Sequence, residues 1–272
     1  MANIELNILG CGSALPTTRH LPSSQVLNVR EKLFMIDCGE GAQLQFRRQK
    51  LRFSRLQHLF ISHLHGDHCF GLPGLISTLA LLGYSGELVV HVHYEAEKPF
   101  RAMLDYFCRD LPFSLRFNPI VPGENIYEDR SLIVRTLPLK HRIPTCGFLF
   151  EQKPRHLLGD MVRFYNIPVK LLADIKMGAD YVTPDGRIIL NERLTRPADR
   201  SIRYAYCSDT AYTEKLLPYI EGVDLLYHES TFAEDNVLRA KETFHSTAKQ
   251  AATMALKARV GQLLLGHYSA RY

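Results

Sequence analysis

Three histidines and an aspartate fall within six consecutive positions, His63-Leu64-His65-Gly66-Asp67-His68. Imidazole nitrogens and a carboxylate at this density suit a borderline metal such as zinc. The alternative is a polar loop with incidental histidines, which would be far sparser. The apolar run Leu59-Phe60-Ile61 directly before it reads as the end of a strand. A short strand running into a glycine-containing loop presents all four side chains at one sheet end.

Three further metal-capable residues occur in the same setting. His141, Asp209 and His267 each fall just past an apolar strand candidate, as His63 does. Groups delivered at the ends of several strands can converge on one sheet edge, whereas scattered histidines show no such preference. His20, His58, His91, His93 and His156 lie outside this pattern and read as structural or surface residues.

The elements that must position these groups follow from apolar periodicity and turn residues. Strands are expected over 4–9, 24–29, 32–36, 56–62, 88–92, 114–117, 132–137, 147–150, 202–207, 224–227 and 262–265. Helices are expected over 42–49, 72–82, 98–108, 214–220 and 246–258, the last with Ser246 as N-cap. Asp37 either lies beside the histidine loop or caps the helix that follows it. From 152 to 190 the rhythm is broken by Pro154, Gly159, Pro168, Gly178, Pro184 and Gly186. Basic residues gather there: Lys153, Arg155, His156, Arg163, Lys170 and Lys176. This segment reads as an insertion or as an ordinary solvated excursion.

With 272 residues, 46% of them hydrophobic and 22% charged, the chain fits one large domain or two small ones. That length buries a sizeable core without staples. The six cysteines (Cys11, Cys38, Cys69, Cys108, Cys146, Cys207) form no CxxC pair, which argues against a cysteine zinc site or a disulfide framework. No apolar run approaches the roughly 20 residues of a membrane span. Met1 to Glu5 lack the basic start and apolar run of a signal peptide, so a cytoplasmic protein without membrane partners is expected. The net charge of +5 permits an anionic partner such as nucleic acid without demanding one.

His63-x-His65-x-Asp67-His68 after a strand resembles the signature loop of the metallo-β-lactamase superfamily. The resemblance narrows with Gly12-Ser13-Ala14-Leu15-Pro16-Thr17, Asp37-Cys38-Gly39-Glu40-Gly41-Ala42-Gln43 and Gly71-Leu72-Pro73-Gly74. It continues in His228-Glu229-Ser230-Thr231-Phe232, His245-Ser246-Thr247 and His267-Tyr268-Ser269-Ala270-Arg271-Tyr272. These motifs are similar to those of the ribonuclease Z family, the tRNA 3′-processing endonucleases.

That resemblance implies an α+β fold, the αββα sandwich, as a single domain over 1–272 with an inserted arm at 152–190. It implies a homodimer whose arms grip tRNA. It also implies two zinc ions per subunit, with manganese tolerated. His63, His65 and His141 would hold the first, Asp67, His68 and His267 the second, and Asp209 would bridge them. The implied activity is zinc-dependent endonucleolytic removal of the 3′ trailer from precursor tRNA, leaving a 3′-hydroxyl on the tRNA and a 5′-phosphate on the trailer. Asp67 would orient the attacking water, His245 would protonate the leaving oxygen, and Glu229 would orient His245. Otherwise these last two are a helix-start histidine and a surface carboxylate.

Arg271 reads as a contact to a backbone phosphate or as a surface arginine. Ser62 and Asp37 are expected behind the ligands, with Ser62 also counted beside Arg271 as a substrate contact. The alternative activity is hydrolysis of small phosphodiesters or other esters by the same metal site; an inert binding homologue is disfavoured because every ligand is present. Two features depart from the family pattern: the arm shows no Gly-Pro-rich tip, and the sequence stops at Tyr272 where members continue with a further helix and strand.

Overall fold

The computed structural model describes residues 4–153, 155–197 and 201–272. Met1 to Asn3 of the expected leaderless terminus, and Pro154 of the broken 152–190 segment, lie outside the described residues. Strands β1 (Ile4–Gly10), β2 (Ser24–Val29), β3 (Lys32–Cys38), β4 (Leu56–Phe60), β5 (Glu87–Val92) and β6 (Ser114–Pro119) form one sheet in chain order. The first three pair antiparallel, and β3 to β6 run parallel.

The chain continues through β7 (Asn125–Glu128), β8 (Leu132–Pro138) and β9 (Cys146–Gln152). It then leaves on an excursion carrying β10 (Arg155–Leu157), β11 (Tyr181–Val182), β12 (Ile188–Ile189) and β13 (Thr195–Pro197). It returns with β14 (Arg203–Cys207), β15 (Leu225–Glu229) and β16 (Gln262–Gly266), and the second sheet runs β16-β15-β14-β9-β8-β7.

The two sheets pack face to face because each turns an apolar face inward. Leu27, Phe34, Ile36 and Phe60 from the first meet Val134, Phe148, Phe150, Tyr204 and Tyr206 from the second. Full burial of each such side chain contributes on the order of 1.5–3 kcal/mol. Helices Ala42–Arg48, Leu72–Leu81 and Glu97–Phe107 cover the outside of the first sheet through Phe46, Leu75, Ile76, Leu79 and Leu104. Leu217–Ile220 and Ala248–Lys257 cover the second through Ile220 and Met254. This is the expected αββα sandwich. Since β14, β15 and β16 are parallel and β8 is antiparallel to β9, itself antiparallel to β14, the carboxyl ends of β8, β14, β15 and β16 share one edge.

Several local details differ from expectation. β4 stops at Phe60, and Asp67 and His68 sit on a short helix, Gly66–Cys69, rather than in an open loop. β7 and the helix Val237–Thr243 were not foreseen. Ser246 is not the N-cap of the last helix. Thr247 is, in a capping box: its hydroxyl accepts from the Gln250 N–H at 3.2 Å while the Gln250 side chain accepts from the Thr247 N–H at 2.9 Å. Ser246 is committed elsewhere, donating its hydroxyl to the Thr210 carbonyl at 2.6 Å.

The excursion also runs past residue 190, because β13 pairs back onto β10. It has a small core of its own, Ile167, Ile175, Tyr181, Ile189 and Leu194. Arg130 and Arg30 tie it to the body by donating to the carbonyls of Gly178 (2.7 Å) and Lys176 (3.0 Å). Among the described residues no helix is long and apolar enough to cross a membrane. All six cysteines are unpaired.

Candidate metal centre

His63, His65, Asp67, His68, His141, Asp209 and His267 converge where the two sheets meet. They arrive from loops after β4, β8, β14 and β16. Their ligand atoms fall into two sets that share Asp209. In the first, His63 Nε2 is 2.9 Å from His65 Nδ1, which is 3.2 Å from His141 Nε2. Asp209 Oδ2 completes it at 3.5 Å from His63 and 3.6 Å from His141. In the second, His68 Nε2 is 3.4 Å from His267 Nε2, and Asp67 Oδ2 is 3.4 and 3.3 Å from those two nitrogens. Asp209 Oδ1 completes it at 3.2 and 3.0 Å.

The hydrogen bonds behind the rings set their tautomers. The Asp37 carboxylate accepts from His68 Nδ1 at 2.7 Å, from the Ser62 hydroxyl at 2.9 Å and from the Tyr206 hydroxyl at 2.6 Å. Since the Ser62 hydroxyl proton goes to Asp37, its oxygen accepts from His63 Nδ1 at 3.0 Å. The Thr231 hydroxyl donates to Glu229 at 2.5 Å and therefore accepts from His267 Nδ1 at 2.8 Å. His141 Nδ1 donates to the Phe244 carbonyl at 3.0 Å. Each of these four rings is thus left with a bare lone pair on Nε2, aimed at the others.

Bare lone pairs and carboxylates at these separations repel unless a cation sits among them. Ligand bonds of about 2.0–2.1 Å to a tetrahedral zinc place the ligand atoms about 3.3 Å apart, and the separations above, 2.9–3.6 Å, bracket that value. The donor chemistry therefore fits a metal pair. Charge balance points the same way. Burial holds His63 and His65 below the ordinary imidazole value and His141 at about 4, so these rings are neutral ligands at pH 7. Burial would lower His68 too, but the carboxylates of Asp209, Asp37 and Asp67 outweigh it and hold the ring well above its usual range. That spot demands positive charge, from a proton or from a metal.

Beside the second set, Glu229 is completely buried and takes His245 Nδ1 on Oε1 at 2.9 Å. Its other hydrogen bonds come from the Thr231 hydroxyl (2.5 Å) and from the N–H groups of Thr210 (2.8 Å), Ser246 (3.0 Å) and Thr231 (3.3 Å). It is a fixed anchor rather than a surface carboxylate. Burial alone would depress His245, but the Glu229 charge and hydrogen bond, with Asp209 and Asp67 behind them, raise it to about 9.

Three site residues, Asp37 (φ 56°), Asp209 (φ 60°) and His267 (φ 58°), adopt the left-handed backbone conformation, as does Phe244 (φ 61°) just before His245. The first three lie at or just beyond strand ends, and each such non-glycine residue costs of order 1 kcal/mol or more.

A cleft of about 710 Å³ opens over the centre. Arg271 lines it, its guanidinium 5.7 Å from the centre of the Phe232 ring, and so do Arg142 and Arg239, which lone exposed arginines in the sequence did not betray. Ser62 does not line it. Expected among the substrate contacts, Ser62 is fully buried and spends its hydroxyl between Asp37 and His63. Asp37 resolves in favour of the position beside the loop, since Ser62 N–H also donates to it at 2.7 Å. His93 braces the same loop from behind at 3.0 Å from the Ser62 carbonyl, while His58 and His91 pair with each other at 3.1 Å away from the centre.

Comparison with known proteins places this geometry. A family described as anti-Pycsar protein Apyc1 matches residues 4–98, well under half of the chain. Among solved structures, human tRNase Z, short form, superposes with a TM-score of 0.73 at 24% identity, covering 98% of this chain and 93% of that one. The metallo-β-lactamase fold protein YhfI from Bacillus subtilis superposes with a TM-score of 0.68 at 16% identity, covering 98% and 87%. Both likenesses establish the fold. Ribonuclease Z from Parabacteroides distasonis is 61% identical over 276 residues, spanning all of this chain and 91% of the relative. At that identity and coverage, the chain belongs to the ribonuclease Z family.

Proposed function

We propose that this protein is a metal-dependent endoribonuclease that removes the 3′ trailer from precursor tRNA, leaving a 3′-hydroxyl on the tRNA and a 5′-phosphate on the trailer. The observation that carries this reading is the pair of donor sets sharing Asp209, set beside a His245 held by the buried Glu229 under an arginine-lined cleft. The small-ester alternative uses the same metals, and for esters with an activated leaving group it has no need of a proton donor anchored in this way. The unpaired cysteines agree with a cytoplasmic site of action.

Two zinc ions are the proposed occupants, with manganese acceptable at the set containing two carboxylates. When bound they supply Lewis acidity, neutralising phosphoryl oxygens and lowering the pKa of water. The residues of the chain do the rest. Arg142, Arg239 and Arg271 offer guanidinium groups to backbone phosphates entering the cleft. Asp67 turns Oδ2 to the second donor set, which leaves Oδ1 to accept a hydrogen bond from the attacking water and align it with phosphorus. As the bond from phosphorus to the 3′-oxygen breaks, His245 donates its Nε2 proton to that oxygen. Glu229 holds the ring by Nδ1 and stabilises its protonated form.

The excursion from 152 onward is proposed as the arm that grips the tRNA body. Its own core and the basic residues Arg163, Lys170 and Lys176 support this. A homodimer would bring a second arm to the same tRNA, and the exposed Leu81, Tyr106 and Phe107 on the outer helices are a surface such a dimer would cover.

Precursor tRNA carrying a 3′ trailer, incubated in zinc or manganese, is expected to be cut at the base of the trailer, and Asp67→Ala is expected to leave it intact. Cleavage by that variant would overturn the mechanism, and turnover of small esters alone would favour the other substrate class. Elemental analysis of natively purified protein should find about two metal ions per chain, and Asp209→Ala should reduce retention at both positions; loss of only one would contradict the shared ligand. Light scattering should give twice the 31.1 kDa chain mass, and a monomer would remove the second arm from the reading.

His245→Ala should slow tRNA cleavage by about 10²–10⁴-fold yet spare bis(p-nitrophenyl) phosphate, whose leaving group needs no proton. Because folding raises His245 to about 9 from 6.5, its protonated form persists at neutral pH. The linked stability is complete below about 6.5 and is lost as pH rises through about 9. The tRNA rate should therefore fall on the alkaline side near that value, and equal losses on both substrates would exclude the proton-donor role.

A further inference from the structure

The cleft is not polar throughout. Phe70, the C-cap of helix Gly66–Cys69 and three residues beyond Asp67, is 71% exposed, and Leu15, 67% exposed, lines the same cleft. An exposed apolar side chain is common on its own. Phe70 differs in how its ring is held. A Cβ on Gly66 would lie 2.4, 2.7 and 2.8 Å from three carbons of that ring, so the absence of a side chain at Gly66 is what lets the ring rest there. The Phe70 N–H also donates to the Gly66 carbonyl at 2.9 Å. An aromatic ring is thus seated on the peptide between His65 and Asp67, two donors of the metal centre, largely exposed and lining the cleft.

We infer that Phe70 is a stacking platform for a nucleobase flanking the scissile phosphate; this rests on the trailer-cleavage reading. A phosphate held at the metal centre brings the adjoining bases over this wall of the cleft. A phenyl ring offers a base π-face and no hydrogen bond, so it accepts any base. That tolerance suits an enzyme facing many different precursors, and Leu15 adds an aliphatic contact beside it. The arginines would then fix the backbone while Phe70 fixes the base, setting the angle at which phosphorus meets the attacking water.

The test pairs Phe70→Ala, Phe70→Leu and Phe70→Tyr with precursor tRNAs that are intact or abasic at either nucleotide flanking the cleavage site. Phe70→Ala is expected to lower kcat/KM on the intact precursor about ten-fold or more, with unchanged metal content and melting temperature. Phe70→Leu should lose nearly as much, and Phe70→Tyr should retain activity. On the precursor abasic at the stacked nucleotide, wild type should already be slow and Phe70→Ala should cost nothing further. Undiminished cleavage by Phe70→Ala, full activity of Phe70→Leu, or equal losses on intact and both abasic precursors would overturn the stacking role alone. Wild-type protein that leaves every precursor uncut would instead overturn the trailer-cleavage reading, and this inference with it.

Discussion

One carboxylate has to serve two sets of nitrogen lone pairs. Asp209 presents Oδ2 to His63 and His141 and Oδ1 to His68 and His267, and its side chain is almost wholly buried. Nothing about this is stable by itself: buried negative charge beside unprotonated nitrogens needs compensation. The surrounding structure keeps that arrangement from relaxing. Both sheets contribute, so the interface between them has to be firm, and the interdigitated aromatic residues at Phe34, Phe60, Phe148 and Phe150 provide this. The rings are then fixed from behind by Asp37, Ser62, Thr231 and a backbone carbonyl, so each lone pair has one direction available.

The backbone adopts a costly conformation to achieve this convergence. A strand that simply continued past Cys207 or Gly266 would send Asp209 or His267 along the sheet rather than toward the seam. A single left-handed residue reverses the local direction, which is why φ is positive at Asp209 and His267 themselves. Asp37, inside the last turn of β3, uses the same device to aim its carboxylate at Ser62 and His68. Aspartate and histidine tolerate this conformation better than most residues, whereas phenylalanine is less at ease in it. The strain sits where the ligands are, in keeping with positions over-determined by their neighbours.

The metal centre was legible because its residue types are rare and its positions regular. Histidines and aspartates at strand ends announce themselves through a local pattern, and strand ends are visible as the close of apolar runs. What could not be read was whatever depends on residues distant in sequence. Ser62 looks like any serine in a polar loop; that it is buried follows from Asp37 and Tyr206 closing over it. Ser246 and Thr247 are equally good caps on paper, and Glu229 and Thr210 decide between them by engaging Ser246 first. The helix Val237–Thr243 has too few apolar residues for its period to show, and Gly66–Cys69 is too short to have one. The excursion closes later than its breaker residues suggest, because its true end is a strand pairing, β13 on β10, that carries no local signal.

The order of the ligands along the chain has a bearing on how the protein is made. His63 to His68 emerge early in synthesis, His141 and Asp209 later, and His267 only with the loop after β16. The second donor set therefore lacks a corner until nearly the whole described chain has left the ribosome. A nascent chain that has not yet exposed His267 thus carries an unfinished centre.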